Sequence, residues 1–344
     1  MASEGEPVRT GFTPVDDRLR RGGMTAGRLL CIGGPPFAGK TTIIVDIALT
    51  MSEKIPVFAL FQDEGRTQAA VRMGVMLGVP LDEIETQPAV AAPIVAERTG
   101  ERSIYLIDPE SELGNVEAIF DYVAALVPKS DTAAIILDSI QTIPARPDTD
   151  LSREREAIKD FMRIARGRAA SDRRIVITSS QSNRASYRSR RSEENTVGIS
   201  NFSGSASIEF LFDMGLSLSL PDENSDVVRV EVVKNRLGHF KKRVARIFHI
   251  RYDNDSGKML EIDEASVEAA NADAAIARLK PVKDKILTLL QSKPGGLSGT
   301  KLQELSGVRR TDIFASLKSL VTDKKIYPET KGRNVVYIID PGYS

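Results

Sequence analysis

Cysteine is almost absent from this chain: Cys31 is the single one among 344 residues, and there is no tryptophan. A lone cysteine excludes an intramolecular disulfide and any zinc site built on several thiolates. Cys31 lies inside an apolar run, where a free thiol serves as a core filler. Only two histidines occur, His239 and His249, each isolated on a strand-like segment, and neither is assigned a role. No apolar run approaches the roughly 20 residues that a membrane span needs, so no membrane partner is expected. The N-terminal "MASEGEPVRTGF" has neither an apolar signal core nor the Arg/Ser-rich, acid-poor character of a transit peptide, which predicts a cytoplasmic protein. Net charge is missing too, but the balance is uneven. From Lys280 to the end 12 Lys/Arg stand against 6 Asp/Glu, a surplus of +6, so residues 1–279 carry −6. A basic tail suits a nucleic-acid partner and equally a solvated face.

What is present is a rhythm. Apolar runs, "LLCIGG", "PVFALF", "RSIYLID", "AAIILDSI" and "RIVITSS", alternate with helix-period segments from "TTIIVDIALTMSEK" to "SREREAIKDFMRIARGRAA". Near-continuous apolar strands separated by helices predict an α/β core whose mainly parallel sheet is covered on both faces. Later runs, "FDMGLSLSL", "DVVRVEVVKNR", "KRVARIFHIRYD" and "KMLEID", are joined by short polar turns and should extend that sheet with antiparallel strands. The length fits two domains, since domains commonly run ~100–200 residues. We expect an α/β core over residues 1–262, an alanine- and acid-rich linker, helical or not, over 263–280, and a small domain over 281–344. Three short helices followed by a hairpin are the order of a winged helix-turn-helix.

"GPPFAGKT" carries the sharpest signal, because it fits G-x-x-x-x-G-K-[ST] and falls between a strand and a helix. Backbone N–H groups of such a loop face the phosphates of a nucleotide, so Gly34, Pro35, Pro36, Phe37, Ala38, Gly39, Lys40 and Thr41 form the expected cradle, with Thr42 beside it. Lys40 reaches the β/γ oxygens and the Thr41 hydroxyl ligates Mg²⁺. Asp138, after four apolar residues at the end of a strand, is the expected metal holder. Asp63-Glu64 closes another strand, and Glu64 is the expected carboxylate that orients the attacking water; an exposed strand end is the alternative. Gln181 ends a further strand, placed to sense a γ-phosphate.

The polar loop after Gln181 holds Arg184, Arg188, Arg190 and Arg191 around Tyr187, a composition suited to a single-stranded backbone with a stacked base, or to a solvated loop. "VEVVKNRLGHF" ends a late strand in Lys234 and Arg236, far along the chain from the phosphate loop. They suit a role in trans, reaching a neighbouring subunit's γ-phosphate; a plain surface pair is the alternative. In the small domain a DNA-binding reading places Arg309, Arg310 and Lys318 on the recognition helix and Lys331 and Arg333 in the wing, whereas many winged helices bind proteins.

Together these motifs resemble the RecA-superfamily ATPases, and within them the RadA, DnaB and KaiC branch. "TGFTPVDDRLRRGGMTAGRLLCIGG" is similar to that group's lead-in, and "LDSIQT" and "KNRLG" to RadA's metal-holding strand and KNRFG motif, with Leu237 in the phenylalanine place. "SSQSNR" is similar to the Gln-Leu-Asn-Arg segment of DnaB-type helicases, with Ser182 replacing leucine, and Glu64 carries the match to the family's glutamate pair. The resemblance spans Thr10 to Asp263 and implies a RecA-like core, ATP and Mg²⁺, single-stranded DNA in a central channel, and ring or filament assembly. RadA's zinc ribbon and protease-like domain and DnaB's helical collar have no counterpart in the chain. The expected function is an oligomeric, hexameric ATP-driven motor on single-stranded DNA that also meets duplex DNA as a helicase. The alternative is an ATP-switched DNA-binding regulator or recombination mediator without unwinding activity.

Overall fold

The apolar runs become strands in the computed structural model, which describes residues 5–181, 211–221, 225–238, 246–332 and 334–343. The chain divides into two compact units, one of Met1–Pro221 with Val227–Asp263, the other of Asp222–Asp226 with Glu264–Ser344. After a helical turn, α1 (Thr13–Asp16), the first unit alternates β1 (Leu29–Gly34), α2 (Lys40–Met51), β2 (Val57–Phe61), α3 (Gly65–Met76), α4 (Leu81–Thr86), α5 (Pro88–Thr99) and β3 (Ile104–Ile107). It continues through α6 (Val116–Leu126), β4 (Ala133–Asp138), α7 (Glu154–Asp172) and β5 (Arg174–Gln181). Four more strands follow: β6 (Met214–Ser219), β7 (Val227–Asn235), β8 (Ile247–Asp253) and β9 (Lys258–Ile262). The rhythm gave no expectation for α4 and α5. The first is only 6 residues long, and Pro88 and Pro93 lie in the second, breaking the periodicity on which such readings rest.

These strands form one nine-stranded sheet in the order β3-β2-β4-β5-β1-β6-β7-β8-β9. Pairings from β3 to β6 are parallel, and β6 to β9 pair antiparallel. Successive side chains of a strand point to opposite faces, and both faces are apolar here. Leu30, Ile32, Ala59, Phe61, Ile136 and Ile177 join one core cluster with α2. Cys31, Phe58, Leu60, Ile135, Leu137 and Val176 join another with α6 and α7. Cys31 is fully buried, and burial pushes its thiol pKa up, so it is inert filler. The parallel strands end along one edge, where β1, β2, β4 and β5 release Gly34, Gln62, Asp138 and Gln181.

The second unit begins with α8 (Glu264–Gln291), one 28-residue helix that takes in residues 264–280 of the expected linker. Its alanine content favours helix, and Pro281 lies inside it. Then come β10 (Leu297–Ser298), α9 (Gly299–Ser306), α10 (Arg310–Thr322), β11 (Ile326–Lys331) and β12 (Asn334–Ile339), with sheet order β10-β12-β11. Val282, Ile286 and Leu290 of α8 pack with Leu302, Ile313, Leu317, Leu320 and Ile326 into a separate core. Among the described residues, no helix is long and apolar enough to cross a membrane.

Candidate nucleotide site

Between β1 and α2 the chain turns tightly, and two glycines make the turn feasible. A Cβ on Gly34 would stand 2.8 Å from Leu218 Cβ and 3.0 Å from the Leu218 carbonyl oxygen on the neighbouring strand. Gly39, the N-cap of α2, has φ +80°, and a Cβ there would meet the Met259 sulfur at 2.9 Å. Phe37 also takes a left-handed conformation, φ 65°, with its side chain 99% exposed. Its part in a phosphate cradle therefore falls to its backbone N–H. Ala38 is buried, and α2 is tied to the sheet edge by Lys258 Nζ donating to Asp46 Oδ1 at 2.6 Å.

The structure brings Thr41 and Asp138 together across the strand ends, the Thr41 hydroxyl donating to Asp138 Oδ2 at 2.7 Å. Lys40 is buried and donates from Nζ to the Pro35 carbonyl at 2.7 Å, folded back over its own loop. Burial lowers the Lys40 pKa, opposed by the charges of Asp138 and Asp63. Burial likewise raises the Asp138 carboxyl, opposed by hydrogen bonds from Ser179 and Thr41 and by the Lys40 charge. Beside Asp138, Gln62 donates its backbone N–H to the Asp138 carbonyl at 2.8 Å, while Gln62 Oε1 is buried without a hydrogen-bond partner. The Thr41 hydroxyl and the Asp138 carboxylate are hard oxygen donors of the kind that suits Mg²⁺.

Glu64, the N-cap of α3, is gripped by Arg72 of the same helix, with Nε to Oε2 and Nη2 to Oε1 both at 2.8 Å. This fork raises the Arg72 pKa. Arg72 Nη1 also lies 3.4 Å from the Thr42 hydroxyl, so it bridges the expected water-orienting carboxylate to the start of α2. Asp63 accepts from the Ser139 hydroxyl at 3.3 Å. Gln181 pairs in register with Gly34, at the mouth of the phosphate loop. Gln141 holds that strand end, its Oε1 accepting from the Gln181 N–H at 3.2 Å and its Nε2 donating to Ser180 Oγ at 3.0 Å.

Arg72, Ser179 and Gln141 escaped the sequence reading. Arg72 lies eight residues after Glu64, little more than two helical turns, so spacing was a usable signal. Ser179, which donates to Asp138 Oδ1, sits with Thr178 and Ser180 as fully buried hydroxyls that follow the apolar run Ile175, Val176 and Ile177.

Lys234 and Arg236 are elsewhere. β7 runs antiparallel to β6, so Asn235 pairs with Met214, which pairs with Leu30 near the start of β1. Gly34 is four residues further along β1, roughly 13 Å at 3.3 Å per residue. Both cations thus lie towards the sheet edge opposite their own phosphate loop. Lys234 Nζ sits 5.0 Å above the Phe212 ring, and the Arg236 N–H donates to the Asp213 carbonyl at 2.8 Å.

In the second unit, Arg310, Phe314 and Lys318 lie at four-residue spacing on the exposed face of α10, and Arg309 is its N-cap. Lys331 donates to the Gly295 carbonyl at 3.0 Å and pairs with Glu329 at 3.2 Å. Arg184, Arg188, Arg190, Arg191 and Arg333 lie outside the described residues.

Protein RecA of Colwellia psychrerythraea is 25% identical over 260 residues, 75% of this chain and 70% of that protein. Protein RecA of Bordetella avium is 33% identical over 143 residues, 40% of this chain and 37% of that protein. A solved DnaB-like replicative helicase, studied with its interactions with primase, superposes with a TM-score of 0.61 at 18% identity, covering 74% of this chain and 62% of that one. A second solved structure, an ATPase domain, gives a TM-score of 0.61 at 18% identity over 76% of this chain and 94% of its own. Likeness at this identity shows the fold, an α/β RecA-like core. The model of the DnaB-like helicase C terminal domain matches residues 7–253, most of the chain. The chain therefore belongs to the DnaB-like helicase C terminal domain family.

Proposed function

We propose that the chain is an ATP-hydrolysing motor of the DnaB-like helicase kind, working on single-stranded DNA as a hexameric ring in the cytoplasm. One observation carries this reading: Thr41 meets Asp138 at 2.7 Å beside the phosphate loop, while Lys234 and Arg236 lie towards the opposite edge of the same sheet. A closed ring would set one copy's strand end against its neighbour's phosphate loop, so the active site is shared.

In this mechanism the N–H groups of residues 34–41 and the N-terminus of α2 hold the triphosphate, and Lys40 turns from the Pro35 carbonyl to the β/γ oxygens. Mg²⁺, held through Thr41 and Asp138, would neutralise phosphate charge when bound. Glu64, aimed by Arg72, orients the attacking water and receives its proton. Arg236 and Lys234 of the neighbour meet the charge that develops on the leaving and transferring oxygens. Gln181 couples the γ-phosphate to the arginine-rich segment that follows it, where Arg184, Arg188, Arg190 and Arg191 would track the strand.

The second unit, with element order helix, strand, two helices and hairpin, is read as a winged helix that docks DNA through Arg309, Arg310 and Lys318, with Lys331 and Arg333 in the wing. On this reading residues 1–262 form the motor core and 263–280 the connecting helix. The test is ATP turnover with and without single-stranded DNA, together with strand displacement from a forked substrate. DNA-stimulated turnover with displacement supports the motor. Slow, DNA-independent turnover without displacement sinks it and favours the regulator.

A further inference from the structure

The lead-in to the sheet carries arginines that no step above uses. "RLRRGG" and "AGR" put Arg20, Arg21 and Arg28 before β1, at the end remote from the phosphate loop. They line a cavity of about 190 Å³ with Gly23, Thr25, Arg236, Leu237 and Gly238. Among the described lining residues four are arginine, and none is acidic or aromatic.

The cavity wall is held by hydrogen bonds between segments far apart in sequence. The Arg20 N–H donates to the Leu237 carbonyl at 2.9 Å. Asn235 Nδ2 donates to the Arg18 carbonyl at 2.9 Å, and Asn235 Oδ1 accepts from the Leu237 N–H at 3.0 Å. Outside the lining, buried Asp213 accepts from the Leu29 N–H at 3.0 Å and pairs with Arg28 at 3.6 Å and with Arg166. These bonds tie the segment that carries Arg236 to the lead-in that carries Arg20 and Arg28.

We propose that Arg20, Arg21 and Arg28 complete, with Arg236, an anion pocket that receives the terminal phosphate of the nucleotide held by a second copy of the chain. The inference rests on the shared-site reading and extends it from a single cation to a cluster. Size and chemistry choose this occupant. Pockets that enclose a drug-sized ligand run roughly 300–1,000 Å³, so this one admits the phosphate end of a nucleotide rather than the whole. Guanidinium forks bind phosphate oxygens in pairs. A single-stranded nucleic acid would call for a groove with aromatic platforms, and the described lining has no aromatic residue.

The test uses the full chain carrying Arg20→Ala and Arg21→Ala together, both exposed positions, mixed in equal amounts with Lys40→Ala chains and allowed to exchange subunits. Alone, the Arg20/Arg21 variant should turn over ATP roughly a hundred- to a thousand-fold more slowly, the range that loss of a transition-state charge stabiliser spans. Its affinity for a fluorescent ADP should be unchanged. In the mixture the Lys40→Ala neighbour supplies intact arginines to a competent phosphate loop, so turnover should exceed the sum of the separate proteins. The Arg20→Lys, Arg21→Lys protein should recover part of the rate, and an unchanged melting temperature separates these effects from misfolding. The proposal is overturned if the mixture gains nothing while an Arg236→Ala plus Lys40→Ala mixture does. Should neither mixture gain, the shared site itself fails and the proposal with it. Wild-type turnover without DNA, combined with weaker single-stranded DNA binding and a shallower salt dependence, would assign the pocket to DNA and overturn it as well.

Discussion

At Asp138 stability and chemistry pull in opposite directions. Its carboxyl is buried, and that burial raises its pKa above the ordinary carboxylate value against the pull of hydrogen bonds from Ser179 and Thr41 and of the Lys40 charge. A raised carboxyl loses stability as pH climbs from its ordinary value through its raised one, and above that window the penalty is constant. Asp138→Asn removes the penalty and keeps the shape. In the absence of nucleotide it should raise the melting temperature at neutral pH by roughly 2–4 °C, while abolishing Mg²⁺-dependent turnover; a lower melting temperature would contradict the burial argument. Arg72 gives a second residue-scale test. If it acts through Glu64, Arg72→Ala should cut kcat about ten- to a hundred-fold with KM little changed, and should do nothing further in a Glu64→Ala background. Additive losses in the double variant would show that Arg72 works independently of Glu64. The loop that holds Lys40 and Thr41 and the strand that ends at Asp138 were legible because such motifs need a fixed spacing or a fixed place on a strand, and the structure brings Thr41 and Asp138 together. Arg72, Ser179 and Gln141 make side-chain contacts between elements, or across two helical turns, which no short motif encodes.

Among elements, the strands were the easiest to read, since burial on both faces leaves near-continuous apolar runs such as "AAIILD". Helix α4 escaped because it is only 6 residues long and α5 because prolines interrupt its pattern, and α8 runs further than expected because its alanine-rich start needs no apolar stripe to be helical. The turn from β1 into α2 depends on close approach to β6. Gly34→Ala should destabilise the first unit by about 1–3 kcal/mol in urea unfolding, because Leu218 backbone and Cβ atoms block the new methyl. A cost under about 0.5 kcal/mol, the level of an ordinary surface change, would mean that the strand shifts freely. In the second unit the exposed face of α10 carries Arg310 and Lys318 on either side of Phe314. If that face meets DNA, replacing both cations by alanine should weaken binding and flatten the logarithmic salt dependence by about one for each phosphate no longer neutralised. Unchanged affinity and slope would leave the unit to a protein partner.

For the whole molecule, one sheet presents two different ends. Its parallel strands finish at the phosphate loop, Asp138 and Gln181, and the antiparallel return of β7 carries Lys234 and Arg236 towards the other end. A chain built this way cannot bring Lys234 and Arg236 to its own phosphate loop without breaking the sheet; in the proposed ring a neighbouring copy would supply them. The sequence already showed that the two cations lie far along the chain from the loop. Which end of the sheet they occupy depends on strand direction and register, and these exist only in the folded structure. The most direct test is ATP turnover by Arg236→Ala, measured on an assembly whose mass with an ATP analogue equals that of the unaltered protein. A loss of roughly a thousand-fold or more, the scale of an arginine finger, with nucleotide still bound, is the expected result. Turnover at the unaltered rate in the same assembly would contradict the shared site.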